Sequence, residues 1–202
     1  MNSSSYWNEV FDRIRQGGNA KTSSWLRRYL PIRGRDPAAS VLEIGCGLGK
    51  ETAFLVDCGY RVTATDVSET ALSAVKSAFP SANLLLHDTR DRFPFPDESF
   101  DLAVASLSLH YFGYETMIRI LADIRRLLKN GGPILFRLNS ANDEDAGKEH
   151  PIERYFYRPE TCRELFADWR EAALREVAED YYGKTKVMIE GMFEKAPAGH
   201  HL

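Results

Sequence analysis

The chain has little of what most quickly assigns a role. Its 202 residues include only 3 cysteines, Cys46, Cys58 and Cys162. Their odd number and lack of metal-ligand spacing argue against a disulfide framework and a cysteine-based metal site. No apolar run approaches the roughly 18 residues of a membrane span. The start, Met1-Asn2-Ser3-Ser4-Ser5, has no basic segment leading into an apolar core. A reduced, cytoplasmic protein off the membrane is the expectation. Charge of one sign is also scarce: the formal net charge of −3 offers no basic footprint for nucleic acid. With no internal repeat, linker or low-complexity tract, residues 1–202 read as a single domain. Within it, 1–36 form a helical cap or lid and 37–202 the main body.

What the chain does have is alternation. Tyr6, Trp7, Val10, Phe11 and Ile14 recur at helical spacing and predict a helix over 6–16, ended by Gly17-Gly18. A second helix is expected over 22–30, with hydroxyl residues at its start and Pro31 at its end. Trp25 should cover an edge of the core. From residue 41 onward, strands at 41–44, 60–65, 83–87, 100–107 and 133–138 are separated by helices at 50–58, 69–79 and 114–128. Ser68 is the expected cap of the second of these helices. Ile118, Leu121, Ile124 and Leu128 form the expected apolar face of the third. Pro94 and Pro96 forbid regular structure over 90–99.

Toward the end, 159–169 reads as a helix and 171–179 is ambiguous between helix and strand. The stretch 185–194 alternates Val187, Ile189 and Phe193 against Lys186, Glu190 and Glu194, as a half-buried strand does. Joined through 180–184 with Gly183 in the turn, the last two segments suit an antiparallel pair. Strands linked by helices of this length call for a doubly wound α/β fold with a largely parallel sheet.

The stretch that organises the rest is Val41-Leu42-Glu43-Ile44-Gly45-Cys46-Gly47-Leu48-Gly49-Lys50. A buried strand turns through three alternate glycines into a helix, which brings bare backbone N–H groups against a ligand. The spacing rejects a phosphate-cradling loop, because Ile44 stands where its first glycine belongs and Glu51 where its hydroxyl belongs. It also misses G-x-G-x-x-G, since the third glycine comes one residue early. Further candidate groups sit at successive strand ends: Asp66, which lies at the offset where an acid meets ribose hydroxyls, then Asp88-Thr89, then Ser106-Leu107.

In that order, the acid-x-Gly-x-Gly-x-Gly loop, Asp66 and Asp88 resemble the class I S-adenosylmethionine-dependent methyltransferases over roughly 41–138. The segment Phe-Pro-Phe-Pro-Asp-Glu-Ser-Phe before Asp101 is also similar to theirs. The resemblance implies a Rossmann-like fold, a seven-stranded mostly parallel sheet whose last strand is antiparallel. It implies S-adenosylmethionine as cofactor and S-adenosylhomocysteine as product, with cofactor contacts at Gly45, Gly47, Asp66, Val67, Asp88, Thr89, Ser106 and Leu107. Asp88 would face the adenine amine, and Glu43 would order the loop rather than touch the ligand. An N-terminal helix over the cofactor is common in the family. A narrower stretch, Arg154-Tyr155-Phe156-Tyr157-Arg158-Pro159-Glu160 and on through Trp169, is similar to the tellurite-resistance-type methyltransferases.

The reaction class sets modest demands. With the methyl already activated by a sulfonium, positioning dominates, and only a hydroxyl acceptor needs a base. His110, just past the fourth strand, is the candidate base or substrate contact. Its alternative is to pack against the lid or cap the next helix. No metal site is expected: Asp143-Glu144-Asp145 are consecutive and diverge on what should be a solvated loop. His87 should be structural. The 139–157 stretch, aromatic at its end, should lie over the pocket and select substrate, or else be a surface excursion. The expected partner is a small-molecule methyl acceptor: a thiol, amine, hydroxyl or metalloid oxyanion. Two rivals stay open: a non-catalytic S-adenosylmethionine-binding protein and a nicotinamide-dependent oxidoreductase.

Overall fold

A computed structural model of the chain describes residues 3–16, 24–30, 38–181 and 184–196. Seven strands, β1 (Ser40–Ile44), β2 (Arg61–Asp66), β3 (Asn83–Leu86), β4 (Leu102–Ser106), β5 (Pro133–Asn139), β6 (Trp169–Tyr181) and β7 (Lys184–Lys195), form one mixed sheet in the order β3-β2-β1-β4-β5-β7-β6, with the last strand antiparallel, as expected. The chain divides into two compact units, Met1–Pro94 and Phe95–Leu202.

In the first unit, α1 (Ser3–Gln16) precedes β1 (Ser40–Ile44), α2 (Lys50–Asp57), β2 (Arg61–Asp66), α3 (Glu69–Ala78) and β3 (Asn83–Leu86). The three strands pair in parallel, Ile44 opposite Thr65 and Asp66 opposite Leu86. Leu42, Ile44, Leu55, Val62, Ala64 and Val75 are buried, as an apolar run between two helical layers must be. Ser68 caps α3 as expected, its hydroxyl oxygen accepting from Ala71 N–H at 3.1 Å. The second expected helix is shorter than predicted: Trp25–Arg28 form one 3-10 turn behind Ser24, and Trp25 is buried. Tyr29 and Leu30, expected in the helix, follow it as turn and bend, while 22–23 and the glycines expected to end α1 lie outside the described residues.

The second unit runs β4 (Leu102–Ser106), a 3-10 turn (Leu109–Tyr111), α4 (Tyr114–Leu127), β5 (Pro133–Asn139), α5 (Pro159–Leu165), β6 (Trp169–Tyr181) and β7 (Lys184–Lys195). The buried face of α4 is Met117, Ile120, Leu121, Ile124 and Leu127, whereas Ile118 is 42% exposed. At 100° per residue, the stripe is turned away from Ile118 toward Met117 and Ile120. Helix α5 stops at Leu165, earlier than the sequence suggests, because Phe166 and Trp169 turn into an aromatic cluster with Phe136 and Phe193. The ambiguous 171–179 segment is strand, paired antiparallel with β7. Gly183, expected in the intervening turn, lies outside the described residues.

Glu190 departs from the alternation that placed it on the solvent face: it is fully buried. Opposite it on β5, Arg137 is buried too, with Nε donating to Glu190 Oε1 at 2.9 Å and Nη2 to Glu179 Oε2 at 2.8 Å. Arg175 reaches Glu190 Oε2 at 3.2 Å. Buried charges persist when paired and hydrogen-bonded, and here the partner lies 53 residues away in sequence.

Next to that pair, Gly191 faces Phe136 across the strands, and a Cβ on Gly191 would come within 2.3 Å of Phe136 Cζ. The ring is stacked on Phe166 at 4.8 Å and has little room to retreat. Gly191→Ala should therefore lower stability by about 1–3 kcal/mol through overpacking, read as a lower urea midpoint. An unchanged midpoint would show that the stack gives way freely.

Candidate functional site

In the first unit the carboxyl ends of three parallel strands leave the sheet side by side, so groups far apart in sequence meet. Gly45 and Cys46 N–H both donate to Thr65 C=O, at 2.9 and 3.0 Å, which fixes the start of the glycine loop against the end of β2. Gly45, Gly47 and Gly49 all have positive φ. At Gly49 an added Cβ would also come within 3.0 Å of Val75 and 3.1 Å of Phe79, so close packing of α2 against α3 requires glycine there as well.

Asp66 ties this edge together. Its Oδ2 accepts from Gly47 N–H at 2.9 Å and its Oδ1 from Ser68 N–H at 2.9 Å. Burial raises its pKa, while the N–H groups of Gly47, Ser68 and Val67 pull it back down. A carboxylate offers about four acceptor positions. With the N–H groups of Gly47, Ser68 and Val67 turned to it, the carboxylate keeps acceptor capacity for a ligand hydroxyl beside a loop with no side chain at 45 or 47. That donor and acceptor set fits the nucleoside of S-adenosylmethionine.

Asp88 follows β3, beyond a bond from His87 N–H to Asp66 C=O at 2.9 Å, so the two acids leave neighbouring strand ends. Its carboxylate is gripped by Arg90 through Nε at 3.0 Å and Nη2 at 2.5 Å, which holds it below the usual carboxylate range. No local pattern in the sequence singles out Arg90 for this role. Val67 and Thr89 are half-buried beside these acids.

Glu43 points the other way, as expected. It is buried and accepts from the Thr52 hydroxyl at 2.7 Å, pinning β1 to the first turn of α2. Burial pushes its pKa up to about 8. Cys46 is buried and its thiol is raised beyond useful ionisation, chiefly by burial, so it is no nucleophile.

Helix α1 lies against the same loop. A Cβ on Gly47 would come within 3.4 Å of the Phe11 ring, and Asn8 Oδ1 accepts from Ser68 Oγ at 2.6 Å and Thr70 N–H at 3.2 Å. Sequence spacing gave the helix. The role of Asn8 in linking it to the cap of α3 had no local signal.

In the second unit, Ser106 ends β4 and Leu107 follows it at φ 54°, its N–H bound to Arg137 C=O at 3.1 Å. A positive φ at a branched residue costs energy and recurs at functional turns. His110 lies in the 3-10 turn, only 2% exposed. It does not cap α4, whose N-cap is Gly113. Burial first, then Lys186 and Arg154, keep its pKa well below the ordinary imidazole value, so the ring is neutral at pH 7. Asp143 is not solvated as the sequence suggested. It is buried, with Oδ2 accepting from Val187 N–H at 2.6 Å and Oδ1 from Asp145 N–H at 3.0 Å, which fastens the 139–157 excursion to β7. No acid, histidine and cysteine grouping fit to hold a metal occurs among the described residues. No described helix is long and apolar enough to cross a membrane.

Comparison with known proteins agrees with this geometry. Residues 42–136 match the family described as Methyltransferase domain. An uncharacterized methyltransferase of Synechocystis is 33% identical over 96 residues, which are 48% of this chain and 45% of that protein. The tRNA N(3)-cytidine methyltransferase METTL2 of Danio rerio is 36% identical over 123 residues, 53% of this chain and 35% of its own length. The crystal structure of TehB from Haemophilus influenzae superimposes with a TM-score of 0.67 at 18% identity, covering 87% of this chain and 67% of TehB, a likeness of fold. The chain spans between 26% and 57% of the length of the curated relatives it matches. The resemblance to S-adenosylmethionine-dependent methyltransferases is borne out.

Proposed function

We propose that this chain, which carries a methyltransferase domain over residues 42–136, is an S-adenosylmethionine-dependent methyltransferase acting on a small-molecule acceptor in the cytoplasm. The observation that most supports it is Asp66, hydrogen-bonded to Gly47 at the shared edge of three parallel strands. In this reading the chain works as one domain with α1 as its cap. Gly45, Gly47, Asp66, Val67, Asp88, Thr89, Ser106 and Leu107 hold the cofactor.

Once bound, the cofactor supplies a methyl group already activated by its sulfonium. The protein's task is then orientation, which can contribute about 7–11 kcal/mol. Asp66 accepts from the ribose hydroxyls, and Asp88 accepts from the adenine amine while Arg90 holds it ionised. His110, neutral at working pH, can take the proton of a hydroxyl acceptor. Thiols, amines and metalloid oxyanions need less help. The acidic balance of the chain, −3, supports a small acceptor over a nucleic acid.

Calorimetry with S-adenosylhomocysteine, followed by labelled methyl transfer to a panel of thiols, amines, phenols, oxyanions and bulk tRNA, tests the proposal. Binding together with label on a small acceptor is expected. No binding to the wild type would end the reading. Label on tRNA would replace the acceptor class, and binding without transfer to any acceptor would make the chain a cofactor-binding protein.

A further inference from the structure

Around His110 the second unit holds buried polar atoms in an unusual state. His110 Nδ1, both side-chain polar atoms of Asn139, and Arg154 Nε have no hydrogen-bond partner among the described residues. His110 is 2% exposed and Asn139 is fully buried. Interiors rarely leave such groups unsatisfied, and where they do, an ordered water, an ion or a functional role accounts for it.

The three residues are held in one neighbourhood by a single stretch of chain. Tyr155 N–H donates to His110 C=O at 2.8 Å, and two residues on, Tyr157 N–H donates to Asn139 C=O at 2.9 Å. The Tyr157 hydroxyl donates to Phe112 C=O at 2.9 Å, closing the stretch onto the turn after His110. Arg154, at the head of this stretch, sets its guanidinium 5.9 Å from the centre of the Tyr111 ring. Lys186 is near as well: Met188 stands opposite Asn139 in the β5–β7 register, and Lys186 lies two residues before it on the same face.

Two cations, Arg154 and Lys186, stand close to the imidazole. Of the nearby acids, Asp143 accepts from Val187 and Asp145 N–H and also favours the charge on Lys186, Asp145 binds Lys148 at 2.9 Å, and Glu179 binds Arg137. Burial first, then Lys186 and Arg154, disfavour charge on the imidazole; burial also disfavours charge on Lys186, with Asp143 opposing and Arg154 adding to it. An anion would satisfy the unpaired donors of His110, Asn139 and Arg154.

We propose that His110, Asn139 and Arg154, with Lys186 alongside, form a receiving site for an anionic group of the methyl acceptor, a carboxylate or an oxyanion. This rests on the methyltransferase reading and names the substrate class within it. The Arg154 fork and Asn139 Nδ2 donate to the anion, as does His110 Nδ1 in the tautomer that carries its proton there. Asn139 Oδ1 takes a donor next to it.

Titration of the full chain with benzoate, with inorganic phosphate and with benzamide, followed by NMR, tests this directly. Benzoate or phosphate should bind at millimolar concentration and shift the His110 ring resonances, while neutral benzamide should not. Binding of benzoate alone assigns a carboxylate, and binding of phosphate alone an oxyanion. Arg154→Gln and Lys186→Gln should each weaken that binding by about tenfold or more, with S-adenosylhomocysteine affinity unchanged as evidence of intact folding. Binding of neither anion, equal binding of benzamide, or undiminished anion binding by both variants overturns the proposal. Loss of S-adenosylhomocysteine binding in the wild type with anion binding intact would instead remove the cofactor reading and leave the anion site standing.

Discussion

Asp66→Ala should weaken S-adenosylhomocysteine binding by about 1.5–3 kcal/mol, roughly 10- to 150-fold. The same carboxylate serves the loop and, in the proposed function, the ligand. Its removal takes away acceptors for ribose and also the anchor of Gly47 N–H at 2.9 Å and of Ser68 N–H. Asp66→Asn separates the two roles. An amide keeps one acceptor oxygen but loses the charge and half of the lone pairs, so its affinity should fall between alanine and wild type. Calorimetry on all three proteins, with urea midpoints to track folding, reads the result. Equal affinity in wild type and Asp66→Ala would mean that the nucleoside is held elsewhere.

The second large effect is on stability against pH. Glu43 has its pKa lifted to about 8 by burial. Between its ordinary 4.5 and that value, the folded chain keeps a proton on Glu43 that the unfolded chain has released. The stability this contributes is fully present below 4.5 and is lost as pH rises through 8. The slope is about 1.36 kcal/mol per pH unit, a few kcal/mol over the window. Glu43→Gln, which has no proton to lose, should remove the slope. The difference in unfolding free energy between variant and wild type should therefore grow in favour of the variant from pH 5 to pH 8. Parallel pH profiles would show that Glu43 is ionised in place.

How much of this was legible in the sequence depended on whether the signal was local. The glycines at 45, 47 and 49, the Ser68 cap and the acids at strand ends were readable because each is set by its own few residues. The strands β1, β2 and β3 followed from apolar runs between glycine and proline punctuation. Glu190 was misread because strict alternation assigns every second residue to solvent, and nothing within β7 announces a buried partner. The missing clue was on β5: an arginine inside Pro-Ile-Leu-Phe-Arg-Leu, an otherwise apolar strand, needs a buried carboxylate somewhere. Ile118 failed for a different reason, since two overlapping stripes on α4 share Leu121 and Ile124 and only packing chooses between them. The unpaired atoms of His110 and Asn139 left no trace in sequence, because an unmet hydrogen bond is defined only by everything around it.

The Arg137–Glu190 pair bears on how the hairpin finds its place. Backbone ladders alone tolerate slippage, since N–H and C=O groups recur at every step. Moving β7 by one residue would turn the Glu190 carboxylate to the opposite side of the sheet and take from the Arg137 guanidinium its fully buried partner. The ionic contact thus works as an alignment key, admitting the final strand at one position and refusing its neighbours.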